Sequence, residues 1–174
     1  MSSFRLSDDT APLFLRTLRR FRPRSIQAYP STITILALWM RQHQEPPIDG
    51  LAVILCASEN LYPAQRALLE SVCSCRVHSF YGHGEAACLA GNTEASNQYH
   101  VCSEYGYTEL LAEDGEVLPL APGTRGEIVA TGFNNDAMPF IRYATGDIGI
   151  AGADEAGSQR HYPVLRAIEG RKQE

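Results

Sequence analysis

Apolar residues Phe14, Leu18 and Phe21 recur at i, i+4 and i+7, which predicts an amphipathic helix. It opens after Ser7, with Asp8 and Asp9 suited to a first turn, and ends at Pro23. Pro30-Ser31 opens a second segment in which Ile33, Leu36, Ala37 and Met40 have helical spacing. Its start, Thr32-Ile33-Thr34-Ile35, also alternates like a strand, but the length favours a helix closed by Pro46-Pro47 and Asp49-Gly50. The continuous apolar run from Leu51 to Ala57 reads as a strand buried on both faces of a parallel sheet. A helix starting at Pro63 (Ala64, Ala67, Leu68, Val72) and a short strand from Val77 to Phe80 complete a strand-helix-strand crossover. Ligands in such sheets bind beyond the carboxyl ends of the strands, here Ser58-Glu59 and Tyr81-Gly82.

Near residue 98 the pattern changes. Alternation over Tyr105, Tyr107, Glu109 and Leu111, turns at Asp114-Gly115 and Pro122-Gly123, and the run Gly126 to Gly132 predict antiparallel strands. A last strand pair is expected to bracket Thr145-Gly146-Asp147. The expected class is α/β: a parallel-sheet α/β layer over 1–97, then a small antiparallel β subdomain over 98–174.

The chain has 174 residues, a length that holds one domain or two small subdomains. Its net charge of −5 is uneven: residues 1–24 carry six arginines against Asp8 and Asp9, so the remainder is strongly acidic. An acidic body argues against nucleic acid as a partner, because phosphate contacts need a spread basic face. The longest apolar run, Ile33 to Met40, is far below the ~20 residues of a membrane span, and no secretory signal is visible, so a soluble cytoplasmic protein is expected. Five cysteines without a C-x-x-C pair suit reduced thiols, with a zinc grouping of Cys88, His100 and Cys102 as the lesser reading.

Four segments carry candidate chemistry: Cys56-Ala-Ser-Glu59 with Leu61, Gln65 and Arg66; Tyr81-Gly-His-Gly-Glu85; Met138-Pro-Phe-Ile-Arg-Tyr-Ala-Thr-Gly-Asp147; and Ile168-Glu-Gly-Arg171. Read from the residues alone, Tyr81 is a core tyrosine or a flat platform for a base, and Asp147 a turn residue or an acceptor for paired hydroxyls. In this order and spacing the segments resemble the AMP-forming adenylating (acyl-CoA synthetase) superfamily, in its phenylacetate-CoA ligase and capsule-biosynthesis branch. Gln27-Ala-Tyr-Pro-Ser31 fits the preceding stretch, so the resemblance spans nearly the whole chain, as a piece of that family's large domain.

The resemblance implies an acid-CoA ligase that uses ATP, Mg2+ and CoA to activate a carboxylic acid through an acyl-adenylate. It implies that Tyr81, with Gly82, stacks on adenine, that Asp147 and Arg171 hold the ribose, and that Glu85 helps hold magnesium as a catalytic acid. Ser58 and Glu59 fall in the loop lining the adenine and acyl pockets, the plain alternative for Glu59 being a cap on the following helix. Gly84 stands where the family has Thr or Ser, and Ala144 where Arg is common. The family also uses a Gly-rich phosphate loop upstream and a lysine from a small domain downstream. These 174 residues hold neither, their one lysine being Lys172 in the expected hinge. The chain alone is therefore expected to be inactive, with a separate chain or a homodimer supplying what it lacks. The competing expectation is a non-catalytic paralogue that binds adenine nucleotide or docks on a partner.

Overall fold

The computed structural model describes residues 6–153 and 162–172; Arg5 of the arginine cluster lies outside them. The contacts divide the chain into two units, Met1–Ser79 and Phe80–Glu174.

The first unit is α/β. Helix α1 (Ala11–Phe21) buries Ala11, Leu15 and Leu18, while Phe21 is 79% exposed. Two stripes of i, i+4, i+7 spacing share Leu18, and the fold buries the one that starts at Ala11 rather than at Phe14. Asp8 and Asp9 sit in the turn before α1, not in its first turn, and Arg22 ends the helix in the left-handed region with its N–H on the Leu18 carbonyl. Strand β1 (Ser25–Ala28), unmarked in the sequence pattern, leads into α2 (Pro30–Gln42), the helix expected there. Strand β2 (Val53–Cys56), helix α3 (Pro63–Cys73) and β3 (Arg76–Gly82) follow. β2 pairs in parallel with β1 on one side and with the first four residues of β3 on the other. Leu15, Met40, Ile54, Leu69 and Val77 are fully buried in one core. Each such side chain contributes roughly 1.5–3 kcal/mol, which is why short strands hold here without long ladders.

The second unit is antiparallel. The last three residues of β3 pair with β4 (Leu89–Gly91), which pairs with β5 (Tyr99–Val101). Strands β6 (Gly106–Leu111), β7 (Val117–Leu118), β8 (Arg125–Gly132), β9 (Tyr143–Ala151) and β10 (Val164–Arg171) complete it. β10 joins β5 to β9, and β8 lies between β9 and β6, with β7 against the far side of β6. Antiparallel pairing thus begins upstream of the change of pattern at residue 98. The alternation in β6 puts Gly106, Thr108 and Leu110 inward and leaves Tyr107 exposed. Gly106 is required by close approach, since a Cβ there would lie 2.8 Å from the Thr131 carbonyl oxygen.

The Thr145-Gly146-Asp147 element lies inside β9 rather than between two strands. Glu127 pairs with Ile148 and Val129 with Ala144, so Ile128 alone stands opposite Thr145 to Asp147. Gly146 takes φ +74°, Thr145 Oγ1 donates to the Ile128 carbonyl at 2.8 Å, and the Asp147 N–H donates back to Thr145 Oγ1 at 3.1 Å. This bulge turns the Asp147 carboxylate out of the ladder.

Candidate functional site

The second unit gathers most of the singled-out residues. Tyr81, His83 and Glu85 alternate along and just beyond the end of β3, whereas Tyr143 and Asp147 come from β9. Tyr81 Oη donates to Asp147 Oδ2 at 2.8 Å. Arg171, the register partner of Asp147 across the β9–β10 ladder, brings Nε to 3.8 Å from Oδ1. That contact is an ion pair at long range, because the Arg171 side chain is 83% exposed. The two oxygens of Asp147 thus face a phenol and a guanidinium.

Tyr81 is half-buried, and burial first, then its bond to Asp147, push its phenol above the ordinary range. Its ring meets His83 edge-on at 6.1 Å; His83 lies 5.5 Å from Tyr143, which meets Phe140 edge-on at 5.2 Å. Tyr143 Oη donates to Glu85 Oε1 at 2.7 Å, and His83 Nδ1 is 3.2 Å from Oε2. The Tyr143 bond is the largest cause holding the Glu85 carboxyl below its usual range, with His83 a smaller one. Glu85 therefore stays ionised and oriented. Gly82 stands between Tyr81 and His83 with its amide in β3, and space for a Cβ there is ordinary.

Ser58 and Glu59 lie in the first unit, after the carboxyl end of β2. Ser58 lines a cavity of about 370 Å³ together with Ile26, Tyr29, Ile33 and Ala57. Glu59 is tied to the start of α2: its Oε2 accepts from the Ser31 N–H and its Oε1 from Ser31 Oγ, each at 2.9 Å. The carboxylate caps the preceding helix, not the following one.

Among the described residues no three of His, Cys, Asp and Glu gather where they could hold a metal ion, so the zinc grouping is not formed. Cys88 Sγ instead accepts from the Thr108 hydroxyl at 3.4 Å, and both ring nitrogens of His100 are buried without a hydrogen-bond partner. Glu85 alone does not make a cage. It fits Mg2+, which keeps its waters and takes one or two carboxylates beside substrate phosphates. Among the described residues no helix is long and apolar enough to cross a membrane.

Sequence reasoning missed Tyr143 and His83. Their signal was present: His83 sits at the middle of the alternating trio Tyr81, His83, Glu85, and Tyr143 is four residues before Asp147.

No protein-family profile matches the chain. It is 29% identical over 143 residues to the phenylacetate-coenzyme A ligase of Aromatoleum evansii, an alignment covering 77% of this chain and 31% of that enzyme. Among solved structures, 2-hydroxyisobutyryl-CoA ligase in complex with 2-HIB-AMP and CoA is similar with a TM-score of 0.80 at 22% identity, over 95% of this chain and 40% of that one. The anthranilate-CoA ligase AuaEII, in complex with anthranoyl-AMP, is similar with a TM-score of 0.69 at 18% identity, over 95% and 33%. The resemblance to AMP-forming acyl-CoA ligases thus extends from four short motifs to most of the chain and to its fold, which is part of the adenylating-enzyme large domain. The chain spans between about a third and two fifths of the length of these relatives.

Proposed function

We propose that this chain carries the adenine- and ribose-binding elements of an acid-CoA ligase. The reaction assigned to the whole assembly is attack of a carboxylate oxygen on the α-phosphorus of ATP with loss of pyrophosphate, then attack of the CoA thiolate on the acyl carbon with release of AMP. In this reading the Tyr81 ring stacks on adenine. Asp147 accepts from the vicinal ribose hydroxyls, and Arg171 reaches the same sugar. Glu85 would help hold a magnesium ion, which would supply neutralisation of phosphate charge there. Within the first unit Ser58 lines its own cavity, and Glu59 fixes that loop to α2.

The observation that carries the reading is the meeting of Tyr81 and Arg171 on one carboxylate, Asp147. The phenol donating to Oδ2 supports the reading, because this oxygen already accepts from a hydroxyl. Five free thiols agree with a reducing, cytoplasmic setting. A phosphate loop and the charge-neutralising lysine come, in this reading, from another part of the protein or from a partner chain. The 174 residues by themselves bind AMP but release no pyrophosphate from ATP.

Calorimetry with AMP tests this. Binding that is lost in both Tyr81→Ala and Asp147→Ala supports a nucleotide site; no binding up to millimolar AMP supports the non-catalytic, partner-docking reading. Pyrophosphate release by the purified chain, abolished by Asp147→Ala, would overturn the assignment of the missing elements to other segments.

A further inference from the structure

Tyr143 has no part in the ribose clamp, yet its hydroxyl makes one of the shortest side-chain bonds of the second unit, 2.7 Å to Glu85 Oε1. Packing places this hydroxyl. The ring rests edge-on against Phe140 and tilted against His83, so donating to Glu85 costs it little further freedom. On the other side of the carboxylate, His83 Nδ1 approaches Oε2 at 3.2 Å but lies off the line a ring N–H bond needs. Its two ring nitrogens are buried, and the ring stands between Tyr81 and Tyr143 as a wall.

We infer that Tyr143 is a positioning residue for Glu85, holding its carboxylate towards a divalent cation bound to the phosphates of ATP, with His83 blocking rotation away from it. The inference rests on the nucleotide-binding reading above. A carboxylate oxygen has two acceptor directions, so Oε1 keeps the Tyr143 hydrogen and still offers a lone pair to a cation. Orienting partners of this kind change metal affinity by roughly 10–100-fold although they never touch the metal.

The experiment measures ATP affinity of the whole chain by calorimetry, with Mg2+ and with chelator, and reads the gain due to magnesium. The unsubstituted protein is expected to show a gain, Glu85→Gln to lose it, and Tyr143→Phe to reduce it by about tenfold. Phe keeps the ring packing, and a thermal melt checks that the variant is folded. A Tyr143→Phe gain equal to that of the unsubstituted protein overturns the inference. So does a loss of affinity that is the same with and without Mg2+, which marks a merely structural residue. ATP binding with no magnesium gain in the unsubstituted protein removes the Glu85 role while leaving the nucleotide site standing. No ATP binding in either condition overturns the nucleotide reading and this inference with it.

Discussion

The hydroxyl of Tyr81 and the carboxylate of Asp147, 66 positions apart in sequence, are joined by a 2.8 Å hydrogen bond. In the proposed nucleotide site this bond aligns an aromatic face and an acceptor in advance, and a ribose bound there would displace the phenol. Tyr81→Phe keeps the face and frees Oδ2. It is expected to cost about 1 kcal/mol of folding stability while strengthening AMP binding severalfold. Tyr81→Ala removes the face and is expected to weaken AMP by 1–3 kcal/mol, or about 5- to 150-fold. Calorimetry on the two variants decides: equal weakening in both would mean that the hydroxyl, not the ring, binds the nucleotide.

Glu59 spans from the end of β2 to the first turn of α2, where it accepts both hydrogen bonds that Ser31 offers. Glu59→Ala should lower stability by about 1 kcal/mol, the usual worth of a helix cap, and Ser31→Ala by less because the backbone N–H bond survives. Urea midpoints of the two variants give the ranking. The reverse order would show that the carboxylate is not acting as a cap.

Gly106 faces backbone carbonyls that no rotamer change can move. Gly106→Ala is predicted to destabilise the second unit by several kcal/mol, comparable to overpacking a core, whereas Gly84→Ala, with open space around it, should change stability by under 1 kcal/mol. Thermal unfolding of the pair measures the contrast.

Burial pushes the Cys56 thiol from 9.0 up to about 11, Arg66 opposing and Glu59 adding to the shift. Below about pH 9 both folded and unfolded chains keep this proton and nothing changes. Between 9 and 11 the unfolded chain gives it up first, so stability falls as the pH rises, at up to about 1.4 kcal/mol per pH unit from this group. Urea midpoints from pH 8 to 11 should slope downward, and Cys56→Ala should flatten that slope. An identical slope in the variant would assign the alkaline loss to other groups, such as the raised phenol of Tyr81.

The sequence made the first unit legible where periodicity and burial agree. Leu51 to Ala57 announces β2 because a continuous apolar run suits a strand in a parallel sheet, although Val53 and Leu55 stay only half-buried, and Pro30 and Pro63 announce α2 and α3 because proline suits a first turn. It misled where two patterns overlap. Phe21 belongs to a stripe as regular as the one at Ala11, and only packing chooses between them. In β6 the alternation announces a strand without saying which face is inward, and the burial of Gly106, Thr108 and Leu110 decides it.

The constellation of Tyr81, Asp147 and Arg171 was readable only by resemblance, since nothing in spacing brings residues 81 and 171 together. The structure supplies the reason, in the pairing of Arg171 with Asp147 across the β9–β10 ladder. The bulge at Thr145 to Asp147 looked like an ordinary turn in sequence, because Thr-Gly-Asp is turn chemistry wherever it occurs. Tyr143 stands four residues before Asp147 inside a segment already singled out, but its partner Glu85 is 58 positions away.

The same bulged strand has a metric consequence. Tyr143 donates to Glu85, the carboxylate proposed for the phosphate end of the nucleotide, and Asp147 is the one proposed for its sugar. The spacing of Tyr143 and Asp147 themselves is set by four residues of β9, at most roughly 13 Å when fully extended and less across the bulge. Inserting or deleting a single residue between Tyr143 and Asp147 would therefore leave the proposed site with the right chemistry and the wrong spacing.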